Sequence, residues 1–217
     1  MNPDNNALAR TYFIAGPPRV GKTLLSYKLA EKIKGHVVST DAIRSAAKKA
    51  CVDKTGDLFR TNFHNSLSEE EWMRMHLDEP EIAVNDQNKE SVALWPSIVS
   101  FCNNFCEDAA IHVVEGAHLP PHLVAQMEHK PGHVIYVGNT SPEHFKYMLE
   151  YSKKNPEQDW MASIGYGEKR IRAMAHFVQA MSEYFKSEAK KYGFPYYEID
   201  DDDFDGSIER ICQSLLK

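Results

Sequence analysis

Gly16-Pro17-Pro18-Arg19-Val20-Gly21-Lys22-Thr23 is the stretch on which the reading of this chain turns. The apolar run Thr11 to Ala15 stands directly before it and has the β-rich, fully apolar character of a buried strand. After it, Leu24, Leu25, Leu29, Ala30 and Ile33 recur at helical spacing up to Gly35, a natural stop. Strand, glycine-bearing turn and amphipathic helix in immediate succession are the opening unit of an α/β sheet.

The spacing Gly16-x₄-Gly21-Lys22-Thr23 matches the P-loop pattern in full, and its flanks match as well. Glycines let the backbone wrap so that successive N–H groups turn inward to phosphate oxygens, and the helix that follows brings its positive N-terminal end to the same point. In such a loop the lysine, Lys22, bridges the β- and γ-phosphates and the threonine hydroxyl, Thr23, ligates Mg²⁺. The nucleotide-binding stretch is expected to comprise Gly16, Pro17, Pro18, Arg19, Val20, Gly21, Lys22, Thr23 and Leu24. ATP and Mg are the expected cofactors. A GTPase is set aside, since Asp53-Lys54-Thr55-Gly56 does not end an apolar strand and Asn88-Lys89-Glu90-Ser91 lacks the fourth-place Asp.

Further strands are expected at residues 36–39, 111–114, 133–137 and 196–199, with helices between them. That alternation implies a parallel sheet with right-handed crossovers and helices on both faces. Thr40 or Asp41 is expected to cap the helix after the second strand. Ser68-Glu69-Glu70-Glu71 reads as a capping box, and a helix is expected over residues 88–109, where Pro96 should kink it or mark its first turn. The helix beginning at Ser141-Pro142-Glu143 has Pro at its first position. A polar stretch, residues 152–167, precedes a long helix over residues 168–192, and Asp200-Asp201-Asp202-Asp203 is expected to be a solvated loop.

Ligands of an open α/β sheet lie beyond the carboxyl ends of its strands. Asp41 and Arg44 follow the second strand there, and Glu115 and Gly116 follow the third. An acidic side chain in that position can take a proton from a substrate hydroxyl, which is the role expected of Asp41. Arg44, one helical turn on, could clamp an anionic group of the acceptor. Glu115 could hold Mg²⁺ through water or bind a substrate hydroxyl.

Composition is ordinary for a soluble globular protein. Over 217 residues, 42% are hydrophobic and 26% charged, with 25 Lys+Arg against 31 Asp+Glu and a formal charge of −6. The acidic balance argues against a nucleic-acid or anionic-membrane partner. The N-terminal segment is polar and unlike a signal peptide, and a cytoplasmic location is expected. Cys51, Cys102, Cys106 and Cys212 are too scattered for a disulfide framework and read as free thiols; no zinc site is expected from them or from the histidines.

Three segments together resemble the P-loop small-molecule kinases, within them the 2-phosphoglycerate kinase-like and zeta-toxin-like branch: the loop at residues 16–23, Val38-Ser39-Thr40-Asp41-Ala42-Ile43-Arg44, and Val113-Val114-Glu115-Gly116-Ala117-His118-Leu119. The resemblance implies one P-loop NTPase domain over residues 1–217, a three-layer α/β sandwich on a parallel five-stranded sheet in the order 2-3-1-4-5. It also implies a helical acceptor-binding insertion at about residues 53–107, a basic lid at about 152–167, and adenine near residues 200–204. From the lid, Arg170 and Arg172 are expected to reach the transferring phosphoryl group. The expected activity is ATP-dependent phosphorylation of a small metabolite's hydroxyl. A nucleotide-sugar kinase, a nucleoside monophosphate kinase and a regulatory nucleotide-binding module stay open alternatives.

Overall fold

The structure is a computed structural model that describes residues 7–104 and 110–216. Five strands form one all-parallel sheet in the order β2-β3-β1-β4-β5: β1 Thr11–Ala15, β2 His36–Ser39, β3 His112–Gly116, β4 His133–Gly138 and β5 Tyr196–Glu198. β1 is central. It pairs with β3 from Thr11↔His112 to Ala15↔Gly116, and with β4 from Tyr12↔His133 to Ala15↔Tyr136. Burial on both faces explains its nearly unbroken apolar run, whereas the edge strands β2 and β5 are only partly covered.

Helix α1, Lys22–Ile33, packs on β3 and on the last helix, α9, Phe204–Ser214. A second group packs around α8, Glu168–Tyr192, which contacts β4, α4 (Pro80–Asn103), α5 (Pro121–Ala125) and α6 (His144–Lys154). Gly193, in the left-handed region at φ 75°, ends α8 as the sequence predicts. Among the described residues no helix is long and apolar enough to cross a membrane.

Several expectations are adjusted. α2, Thr40–Ala50, is capped by Ser39, whose hydroxyl accepts from the Asp41 N–H, so neither Thr40 nor Asp41 is the cap. α4 begins eight residues before the predicted start, because Pro80 occupies the first turn; Pro96 therefore lies inside a continuous helix. The C-terminal part of the predicted helix, with Phe105 and Cys106, falls outside the described residues. α6 starts at His144, after a turn through Ser141, Pro142 and Glu143. The capping box at Ser68 and Glu71 forms and starts α3, Glu69–Met73, which runs on into one π-helical turn, Arg74–Asp78. The polar segment before it winds as a 3₁₀ helix, Asp57–Ser66, packed on α4. Within residues 152–167, a short helix α7, Trp160–Ser163, is capped by Asp159.

Candidate functional site

The β1–α1 loop leaves the sheet at its centre. Gly16, at φ 155°, passes so close to β4 that a Cβ there would stand 2.1 Å from the Val137 carbonyl oxygen. No other residue fits, which explains the first glycine. Gly21 ends the loop at φ 81° and precedes α1 without a side-chain cap, leaving the first N–H groups of the helix directed at the loop's concave side. Pro17 and Val20 are buried, Pro18 and Arg19 half-buried, and Leu24 largely exposed on the helix.

Lys22 is buried and its Nζ donates to the Pro17 carbonyl at 2.7 Å, folded back on its own loop. Burial pushes its ammonium below the usual lysine range, against the opposing pull of Glu115 and Asp41. Beside it, the Thr23 hydroxyl lies 3.4 Å from Glu115 Oε2, with Glu115 buried at the end of β3. The register that sets Ile14 and Ser39 on either side of Glu115 fixes this approach.

Asp41 stands in the first turn of α2 with its side chain 61% exposed, facing the same end of the sheet. Its carboxylate meets Arg44 at 3.3 Å and His118 Nδ1 at 3.8 Å. Gly116, φ 146°, is where β3 turns beneath α2: a Cβ there would meet Thr40 Oγ1 at 1.8 Å. That close approach leaves room for Thr40 to contact His118 Nδ1 at 3.2 Å.

Arg44 also reaches Glu90 at 3.3 Å. Glu90, on α4, is fully buried and gathers the Lys48 ammonium at 3.0 Å, the Thr61 N–H at 2.9 Å, the Thr61 hydroxyl at 2.7 Å and His118 Nε2 at 3.6 Å. Burial alone would raise its pKa; the contacts with His118, Thr61 and Lys48 outweigh it and hold the carboxyl at about 2. Glu90 thereby ties the insertion to the helix that carries Asp41.

Arg170 and Arg172 are engaged elsewhere. Arg170 bonds Glu69 (Nε–Oε2 2.9 Å) and lies over the Trp72 and Tyr166 rings at 4.9 and 5.1 Å. Arg172 lies 3.8 Å over Phe145, with Glu168 beside it. Neither contacts the Gly16–Thr23 loop. The arginine that does join loop and lid segment is Arg19, at φ 68°, which pairs with the fully buried Asp159 at 3.0 Å and lies 4.7 Å over Tyr151.

Two cavities bear on the site, of which the first touches the loop at Pro18 and Lys22. One, of about 490 Å³, is bounded at one end by Lys22, Asp41 and Arg44 and at the other by aromatic side chains of the insertion and of α8. The second, of about 830 Å³, lies over the ends of β4 and β5, lined by Asn139, Tyr147 and Asp200 to Asp202. Of residues 200–204, expected from resemblance to border a base, Asp200 to Asp202 line this cavity, and Phe204 stacks on Tyr147 at 5.1 Å. The acidic run forms a loop in which Asp203 pairs with Arg210.

No role in the site was assigned from the sequence to Glu90, His118, Gln87 or Asp159. For Glu90 a signal exists: Glu90, Leu94, Ile98 and Cys102 share one buried stripe of α4, and a lone carboxylate on an apolar stripe marks a buried polar centre. Compared with models of known protein families and with the curated proteins, the chain has no significant match.

Proposed function

We propose that the chain is a P-loop NTPase of three-layer build that transfers the γ-phosphoryl group of ATP to a hydroxyl of a small metabolite. One observation carries this reading: Lys22 of the glycine loop and the carboxylate Asp41 line the same cavity. A loop that merely held nucleotide would need no carboxylate beside a second chamber.

In this reading the triphosphate lies along the loop, and Lys22 leaves Pro17 to meet the β- and γ-phosphates. Thr23 and Glu115 supply a hydroxyl and a carboxylate, the hard oxygen donors suited to Mg²⁺. Among the described residues no group of three or more His, Cys, Asp or Glu side chains is placed to hold a metal ion. Bound Mg²⁺ would neutralise charge on the bridging phosphate oxygens. Asp41 accepts the acceptor's hydroxyl proton as the new O–P bond forms and the bond to the ADP oxygen breaks. Arg44, held by Asp41 and Glu90, orients that base.

The test is acceptor-dependent ADP release across a metabolite library with Mg²⁺, using wild type and Lys22→Met. Release that needs an acceptor and disappears in Lys22→Met is the expected result. Acceptor-independent hydrolysis alone, or activity that survives Lys22→Met, overturns the reading.

A further inference from the structure

The cavity beyond Asp41 has a chemistry of its own. Its far wall is aromatic: Trp72 stacks on His76 with ring centroids 4.1 Å apart and planes within 16°. Tyr166 meets Trp72 edge-on at 5.6 Å, and Phe177 meets His76 at 5.8 Å. All four line the chamber. Gln87, 92% buried in the same wall, has an amide nitrogen with no hydrogen-bond partner. A buried amide left unpaired is destabilising, so a donor kept there is one that a ligand can satisfy.

The cations near the chamber are already balanced. Arg44 is shared between Asp41 and Glu90, Lys48 sits on Glu90, and Arg170 sits on Glu69. His64 faces Asp86 at 3.3 Å. His76 is held neutral at ordinary pH, its pKa pushed down to about 4 chiefly by burial. Lys22 donates to a carbonyl, that of Pro17, and the proposed reaction assigns it to ATP. An acceptor that brought its own phosphate would have to draw Arg44 or Arg170 away from the carboxylates that already hold them.

We propose that the acceptor is an uncharged alcohol carrying a flat heterocycle, of the nucleoside class: its ring lies against the Trp72–His76 wall, a ring carbonyl or nitrogen accepts from Gln87, and its hydroxyl points to Asp41. The assignment rests on the phosphotransferase reading for the fate of that hydroxyl, but the binding itself does not.

Equilibrium dialysis of the full chain, with and without ADP, against uncharged nucleosides and their 5′-monophosphates separates the two. The expected result is at least tenfold tighter binding of a nucleoside than of its monophosphate. Gln87→Leu, which keeps the volume and removes the unpaired donor, should weaken nucleoside binding about tenfold without lowering the melting temperature. It should leave binding of benzyl alcohol, whose ring carries no hydrogen-bond acceptor, unchanged. Preference for the monophosphates, absence of nucleoside binding, or indifference to Gln87→Leu overturns the assignment even if some other alcohol is phosphorylated. Nucleoside binding without transfer from Mg-ATP leaves the assignment standing and overturns the phosphotransferase reading.

Discussion

Arg19 in the β1–α1 loop and Asp159 ahead of α7 lie 3.0 Å apart, and the Asp159 carboxylate is wholly shielded from solvent. The same carboxylate accepts from the Met161 N–H at 3.0 Å, so one acid both caps α7 and anchors the glycine loop. A buried charge stripped of its partner is costly. Arg19→Ala should therefore destabilise the fold by about 3–5 kcal/mol, while adding Asp159→Asn to it should recover much of that loss. Urea denaturation of the two single variants and the double variant measures the coupling; additive losses would show that the pair is not coupled.

Asp41→Asn removes the proposed base and keeps the shape of the first turn of α2. Turnover should fall by about 10²–10⁴-fold, with nucleotide affinity nearly unchanged because Asp41 does not touch the glycine loop. Steady-state rates with an identified acceptor, beside nucleotide titrations, give both numbers. Full activity in the variant would remove Asp41 from the chemistry.

Glu90→Gln leaves Lys48 and Arg44 facing a neutral amide inside the protein. The expected loss of stability is about 3 kcal/mol, together with a raised KM for the acceptor, since α2 and α4 are joined through this carboxylate. Chemical denaturation and acceptor titration read the two effects. A stable variant with an unchanged KM would reduce Glu90 to a bystander.

The acid side of the stability curve should carry the mark of His76. In the unfolded chain it takes up a proton near 6.5; in the fold, burial delays this to about 4. Between those values the unfolded state binds more protons, so stability should fall as pH drops from about 6.5 to about 4 and stop falling on this account below that. His76→Phe should flatten that window. Urea midpoints measured every half pH unit test it, and an unchanged slope in the variant would contradict the assignment.

How legible these features were depended on whether their determinants lie side by side in the chain. The strand Thr11–Ala15, the glycine loop and α1 are contiguous, and local periodicity with one strict spacing sufficed for them. The strand order came through a likeness of three short segments to a known group, and the parallel sheet has that order. The interior of the site was opaque because its partners are far apart: Arg44 meets Glu90 across 46 residues and Arg19 meets Asp159 across 140. Nothing local marks Arg19 as the tie to the lid segment, and guanidinium chemistry alone pointed instead to Arg170 and Arg172, which Glu69 and Phe145 hold. Pro96 misled for a related reason: Pro80, in a polar stretch without apolar periodicity, sets the true first turn of α4.

The central place of β1 also governs how the protein must be assembled during synthesis. Its two neighbours in the sheet, His112–Gly116 and His133–Gly138, are made long after it, and the bend at Gly16 is moulded against the Val137 carbonyl. A nascent chain halted before β3 would therefore carry an exposed Tyr-Phe-Ile segment with both hydrogen-bonding edges open, a target for chaperones and for aggregation. Of the elements that shape the site, the glycine loop is made first and is among the last to acquire its shape.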